Sequence, residues 1–212
     1  MRSGEILADR FEVISQAGAG GMGVVYRAHD RLTSAVVAVK VLGRPEQEAA
    51  ERFRREVRAL SHLAHPAIVR YVDSGITQNG EPYLAMEWLE GEDLGARLAR
   101  EGVTAEEAVA IGTRLLGALA FAHAKGVIHR DIKPSNVFLP SGDPAQAKVL
   151  DFGIARLDTA TRMMTNTGAM LGSVGYMAPE QARGERTVGP RSDLFSVGCV
   201  LFECFAGRPT FK

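Results

Sequence analysis

Several stretches of this sequence hold residue types and spacings that could do chemistry. Gly18, Ala19, Gly20, Gly21, Met22 and Gly23, followed by Val24 and Val25, fit G-x-G-x-x-G-x-V, in which missing side chains let backbone amides close over phosphate oxygens. Such a run is weak evidence alone in a chain with 23 glycines among 212 residues. The dinucleotide-binding version fits less well, because a β-branched strand pattern follows the glycines where that motif requires a helix. Lys40 interrupts the apolar run from Val37 to Leu42, and a cation inside such a strand needs a partner or a ligand. Glu56 lies in the helical pattern that comes next, with Phe53 and Leu60 at −3 and +4, so it can point inward and meet Lys40. A lysine at a sheet edge and a solvated glutamate among the charges of 51–58 account for the same residues.

The run His129-Arg130-Asp131-Ile132-Lys133-Pro134-Ser135-Asn136 is far more specific. With each residue type near 5% usage, its six telling positions match by chance on the order of once in 10⁸ windows. Asp151-Phe152-Gly153 follows it, directly after the apolar Lys148-Val149-Leu150 strand pattern, and Ala178-Pro179-Glu180 comes later still. In order and spacing the chain resembles the eukaryotic-like (Hanks-type) serine/threonine protein kinases. The stretch from Arg10 to Ala28 looks most like their bacterial members, and the resemblance runs from about Asp9 to Phe211.

Phosphoryl transfer needs charge neutralisation, positioning and an oriented hydroxyl more than covalent help. The resemblance implies that Gly18 to Gly23 covers the nucleotide phosphates and that Lys40, paired with Glu56, holds the α and β phosphates. It implies that Asn136 and Asp151 bind Mg²⁺, with Mn²⁺ as a substitute, that Asp131 orients the acceptor hydroxyl and takes its proton, and that Lys133 steadies the γ-phosphate. Adenine is expected between Val25 and Ala38 on one side and Phe138 on the other, bonded to the backbone of Glu87 and Leu89, with Met86 as gatekeeper. Asp93, or Glu92, is expected at the ribose, a solvated charge being the plain alternative. Lys133 within Asp-x-Lys-Pro-x-Asn is what serine/threonine kinases carry rather than tyrosine kinases. Small-molecule kinases of related fold generally lack Lys133-Pro134 and the Ala-Pro-Glu segment.

By the same resemblance Leu60, Tyr71, His129 and Phe152 match a regulatory spine, and Asp193 matches the aspartate that ties its helix to the catalytic-loop backbone. Residues 154–177, with Thr159, Thr161, Thr165, Thr167 and Ser173, match an activation loop. A phosphate on Thr165 or Thr167 would pair with Arg130, and Ser173 is expected at Asp131 and Lys133; polar loops also hold threonine for solubility alone. The implied partners are ATP, protein substrates with Ser/Thr acceptors, and a second copy in a transient homodimer for trans-autophosphorylation.

The elements that must carry these residues are a strand-rich front and a helical back. Strand patterns cover 11–15, 24–28 and 35–42, and a helix is expected over 46–63, with Phe53, Val57, Leu60 and Ala64 at helical spacing and His65-Pro66 as its stop. Strands follow over 68–74 and 83–88. Thr104 with Glu107 forms a capping box opening a helix with an apolar stripe of Val109, Leu115, Leu116 and Leu119, closed at Lys125-Gly126.

The expected fold class is α+β and bilobal, protein-kinase-like: a lead-in over 1–10, an antiparallel-sheet lobe with one long helix over 11–86, a hinge over 87–93, and a mainly helical lobe over 94–212. Clefts between lobes are where ligands usually bind. The sequence ends at Lys212, a short way beyond Glu180. By the resemblance the helical lobe is expected to lack its last helices, leaving an apolar face exposed and Glu180 without its usual arginine. Two functions follow: an ATP-dependent Ser/Thr kinase activated by autophosphorylation, or a nucleotide-binding signalling module with weak or no catalysis. Intact Lys40, Asp131, Asn136 and Asp151 favour the first.

With 25 basic and 25 acidic residues the chain carries no electrostatic footprint for nucleic acid or an anionic membrane. Cys199 and Cys204 read as buried free thiols. No run approaches the roughly 18 apolar residues of a membrane helix, and Met1 to Asp9 lacks a signal-peptide core, so the expected compartment is the cytoplasm. His62 and His65 lack a third ligand at sensible spacing and read as helix-end histidines.

Overall fold

The structure, a computed structural model, describes residues 1–20, 23–43, 57, 60–152, 174–185 and 188–211. The chain divides into two compact units, one of Met1–Ala64 with Arg70–Leu89 and one of His65–Val69 with Glu90–Lys212. The α+β class holds, with an antiparallel sheet in the first unit and helices dominating the second.

In the first unit, β1 (Ile6–Leu7), β2 (Phe11–Gly20), β3 (Gly23–Asp30), β4 (Val36–Val41), β5 (Tyr71–Ile76) and β6 (Pro82–Glu87) form an antiparallel sheet in the order β1-β2-β3-β4-β6-β5. Side chains alternate across a strand with period two. Tyr26 and Ala28 of β3, Val37, Val39 and Val41 of β4, and Tyr83 and Ala85 of β6 are therefore buried together with Leu7, Phe11 and Val13 on one face. Val25, Ala38, Lys40, Leu84 and Met86 share the other face, with cross-strand partners Val25–Lys40, Lys40–Leu84 and Ala38–Met86.

Residues expected as a plain lead-in extend this sheet. Gly4 N donates to Val13 O at 2.8 Å and Val13 N to Glu5 O at 2.9 Å, while Ile6–Leu7 pairs with Phe11–Glu12; so short a strand cannot show a period. The turn after β3 hides a charge network. Fully buried Asp30 accepts from Arg10 Nε at 2.7 Å, Arg10 Nη2 at 2.8 Å, Thr33 Oγ1 at 2.7 Å and Leu32 N at 3.0 Å. Arg10 Nη1 reaches Asp73 Oδ2 at 2.7 Å. Most of the helix expected over 46–63 lies outside the described residues, though Val57 and Leu60 are helical and buried. The strand expected from Ile68 begins at Tyr71; Ile68 instead bridges Val149 within the second unit.

The second unit holds a small sheet, β7 (Gly91–Asp93), β8 (Val137–Pro140) and β9 (Lys148–Val149), and the helices α1 (Leu94–Arg100), α2 (Ala105–Ala124), α3 (Pro179–Ala182) and α4 (Pro190–Ala206). The capping box of α2 forms: Glu107 N donates to Thr104 Oγ1 at 3.2 Å, and Thr104 N to Glu107 Oε2 at 2.7 Å. Its buried face is rotated from the expected stripe. Ala108, Ile111, Leu115, Ala118, Leu119 and Ala122 are buried, whereas Val109 is 60% and Leu116 43% exposed. Small residues stand between the large ones on this face where α4 lies close: a Cβ added at Gly112 would stand 3.1 Å from Leu201. Hydropathy alone weights those residues too lightly.

His65 Nδ1 accepts from Ala67 N at 3.1 Å and its ring lies 5.2 Å from that of Phe121. Arg114 ties the same segment to α2, donating to Pro66 O at 2.8 Å and Ala147 O at 3.2 Å. Cys199 and Cys204 are free and buried in α4, and burial pushes the Cys204 thiol up to about 11, which keeps it protonated at neutral pH. Among the described residues no helix is long and apolar enough to cross a membrane.

Candidate active site

The loop from Gly126 to Asn136 carries the most specific motif. It leaves α2 through Gly126, whose φ of +74° is the left-handed conformation that ends helices. His129, fully buried, accepts from Asp131 N on Nδ1 at 3.2 Å and so presents Nε2–H to Leu150 O at 2.7 Å. Those two bonds demand one neutral tautomer. Burial pushes its pKa below the ordinary histidine value. The ring meets Phe152 edge-on with centroids 4.7 Å apart.

Asp193, at the start of α4, is fully buried and anchors the loop. Its Oδ2 accepts from His129 N at 2.9 Å and from His123 Nε2 at 2.7 Å, and its Oδ1 from Arg130 N at 2.7 Å. The expected tie between Asp193 and the loop backbone is therefore present, and His123, which sequence reasoning missed, joins it. Arg130 and Asp151 both have positive φ, +68° and +53°, conformations that side chains resist and that surrounding bonds must hold.

The chemistry-bearing groups converge on Asp131. Lys133 Nζ lies 2.7 Å from Asp131 Oδ2. Asn136 Nδ2 donates to Asp131 O at 2.7 Å and to Asp131 Oδ2 at 3.0 Å. Because both bonds require the amide nitrogen, Asn136 keeps its Oδ1 for another role. An amide oxygen and the Asp151 carboxylate are hard donors of the kind Mg²⁺ takes, and Mg²⁺ is commonly bound through one or two protein groups plus substrate phosphates. The pair fits that ion. Phe138 is half-buried on β8, on the face opposite buried Val137 and Leu139.

Of the other expected residues, Lys40, Glu56, Met86, Glu87, Leu89 and the glycine run belong to the first unit. Lys40 is buried, 6% exposed, on the same sheet face as Val25, Ala38 and Met86. Glu56, Gly21 and Met22 lie outside the described residues, as do Gly153 and the threonines of 154–173. Gly20 pairs with Gly23 to close the β2–β3 hairpin. The glycines have different jobs. Gly23 has φ +128°, and a Cβ there would stand 2.1 Å from Val41 O, whereas a Cβ at Gly18 or Gly20 would meet nothing within 4 Å among the described residues. Gly23 is needed by the sheet itself, whereas the described neighbours leave room beside Gly18 and Gly20.

Glu87 is held at both ends by Arg70: its N donates to Arg70 O at 2.9 Å and its Oε1 accepts from Arg70 N at 2.8 Å. Asp93 caps α1, with Oδ1 accepting from Ala96 N at 3.0 Å, and Glu92 pairs with Arg100. Glu180, expected to lose its anchor, accepts from Ser192 Oγ at 2.5 Å.

The profile of the protein kinase domain matches residues 11–212. The chain belongs to this family. Its sequence is 40% identical over 98% of its length to a probable serine/threonine-protein kinase of Corynebacterium efficiens, covering 32% of that protein. It is 41% identical over its full length to serine/threonine-protein kinase PknB of Mycolicibacterium smegmatis, covering 35% of it. The chain thus spans about a third of the length of the curated relatives it matches. Among solved structures, the PknI kinase domain of Mycobacterium tuberculosis superposes with a TM-score of 0.81 at 29% identity, over 100% of this chain and 78% of that one. Protein kinases as a family use ATP and a divalent metal.

Proposed function

We propose that this kinase domain transfers the γ-phosphoryl group of ATP to serine and threonine hydroxyls of proteins. The observation that carries the proposal is the cluster on Asp131, whose Oδ2 is held by Lys133 and Asn136 while its backbone is fixed by His129 and Asn136. A carboxylate so fixed can orient an acceptor hydroxyl and take its proton as the hydroxyl oxygen bonds to the γ-phosphorus and the bond to the ADP oxygen breaks. Lys133 then balances charge on the transferring group.

Asn136 and Asp151 would hold the divalent cation, which neutralises phosphate charge when bound. Lys40 is assigned to the α and β phosphates with Glu56, and the open backbone at Gly18 and Gly20 to the phosphate tail. Val25, Ala38, Met86 and Phe138 are assigned to adenine, with Leu89 and the Glu87 carbonyl as its backbone partners, and Asp93 to the ribose. Autophosphorylation at Thr165 or Thr167, in a transient homodimer and in the cytoplasm, belongs to the same proposal. The relatives' names support the Ser/Thr acceptor class.

The test is incubation of the purified chain with Mg-ATP and serine-, threonine- or tyrosine-containing peptides, read by mass spectrometry. Phosphate is expected on serine and threonine and on Thr165 or Thr167, and is lost in Lys40→Met. Transfer to tyrosine alone, or none despite bound Mg-ATP, contradicts the proposal.

A further inference from the structure

Arg130 is the residue of the loop that the backbone tolerates least. Its φ of +68° is left-handed backbone that a residue with a Cβ resists, and such a conformation persists only where its surroundings over-determine it. Its N–H goes to Asp193 Oδ1 at 2.7 Å. Its carbonyl, part of the peptide that leads into Asp131, accepts from Gln181 Nε2 at 2.8 Å. The other end of the same amide, Gln181 Oε1, accepts from Ala178 N at 3.2 Å. A carbonyl on one side and an N–H on the other allow only one amide orientation.

Gln181 lies in α3, 51 residues beyond Arg130. Other bonds hold the flanks of α3 without it: Ser192 Oγ donates to Glu180 Oε1, Ser196 Oγ donates to Tyr176 O at 2.7 Å, and Tyr176 OH donates to Glu203 Oε2. The flanks of α3 therefore have anchors of their own; the Oε1 end of the Gln181 amide caps α3, and its Nε2 end serves the peptide next to Asp131. We infer that Gln181 is a positioning residue for phosphoryl transfer, locking the Arg130–Asp131 peptide and coupling the placement of α3 to the aim of the Asp131 carboxylate. This rests on the assignment of Asp131 to the acceptor hydroxyl.

Two variants test it. Gln181→Met removes both bonds at similar volume, and Gln181→Glu keeps an acceptor for Ala178 N while removing the donor to Arg130 O. In each, kcat for peptide phosphorylation is expected to fall about 10- to 100-fold, with KM for ATP changed by less than about twofold. Amide exchange across 129–136 is expected to accelerate while α4 stays protected, with the melting temperature lowered by only a few degrees. A kcat in Gln181→Glu within about twofold of wild type overturns the inference. So does a loss of rate that merely follows a lower melting temperature and weaker Mg-ATP binding, or unchanged exchange across 129–136. If Gln181→Met does not fold, Gln181→Glu decides. A wild-type chain that transfers no phosphate overturns the functional reading instead, and the exchange measurement then decides the inference alone.

Discussion

The two units place their polar groups by different means. In the first, strand register does the work: Val25, Ala38, Lys40 and Met86 share a face because they occupy alternate positions on paired strands. In the second, Asp131 sits in a loop directly after the positive-φ Arg130, and single hydrogen bonds with Asp193, His129, Asn136 and Gln181 hold its backbone and that of its neighbours. A group placed by register inherits its position from the whole sheet. A group placed in a loop loses it one bond at a time.

The sharpest way to test that contrast is to remove Asp193. Asp193→Ala strands two backbone N–H groups and His123, and with each buried orphan costing about 1–3 kcal/mol, destabilisation of about 4 kcal/mol is expected on denaturant titration. The counterpart in the first unit is Arg10→Met, which leaves the buried Asp30 carboxylate uncompensated and is expected to cost about 3 kcal/mol by the same titration. Gly23→Ala should cost about 2 kcal/mol or more, since backbone strain and a clash with Val41 O coincide there. Gly18→Ala and Gly20→Ala should stay within about 0.5 kcal/mol of wild type. Those two are expected to weaken Mg-ATP binding instead. Equal stability losses at all three glycines would break the distinction between sheet glycine and cradle glycine.

The smallest expected effect is in acid. Burial lowers the His129 pKa from 6.5, so the folded state favours the neutral ring; the stability this adds is complete above pH 6.5 and declines as pH falls below it. Asp30 is held below the usual carboxylate range first by its hydrogen bonds to Arg10. Its contribution is complete above the unfolded value of 3.8 and is lost only as pH falls below that. Hydrogen-exchange protection factors should therefore drop across 129–136 in mild acid while β2 to β4 remain protected. The reverse order would contradict the assignment of these two groups.

What the sequence could convey follows from range. Lys40 stands out in the sequence because it interrupts an apolar strand pattern, and the catalytic loop because its residue types are themselves the chemistry; that Lys40 shares a face with Val25, Ala38 and Met86 follows from strand pairing and not from the run of residues itself. His123, Gln181 and the Arg10–Asp73 contact were not legible, since their partners lie 70, 51 and 63 residues away and no local pattern marks them. Of the expected stripe of α2, Leu115 and Leu119 are buried and Val109 and Leu116 are not, because alanine and glycine chosen for close helix approach look neutral in a hydropathy reading. Asp93 signals a helix N-cap as plainly as a ribose ligand, and α1 behind it went unanticipated. Glu180, expected without its usual arginine, accepts instead from the Ser192 hydroxyl, a partner no local pattern marks.

The most direct test of the central claim is the Asp131→Asn variant beside wild type, with transfer of labelled γ-phosphate to a Ser/Thr peptide and Mg-ATP affinity measured on the same preparations. The account predicts a fall in transfer of about 10²- to 10⁴-fold with Mg-ATP affinity unchanged. Transfer by Asp131→Asn at the wild-type rate would contradict it.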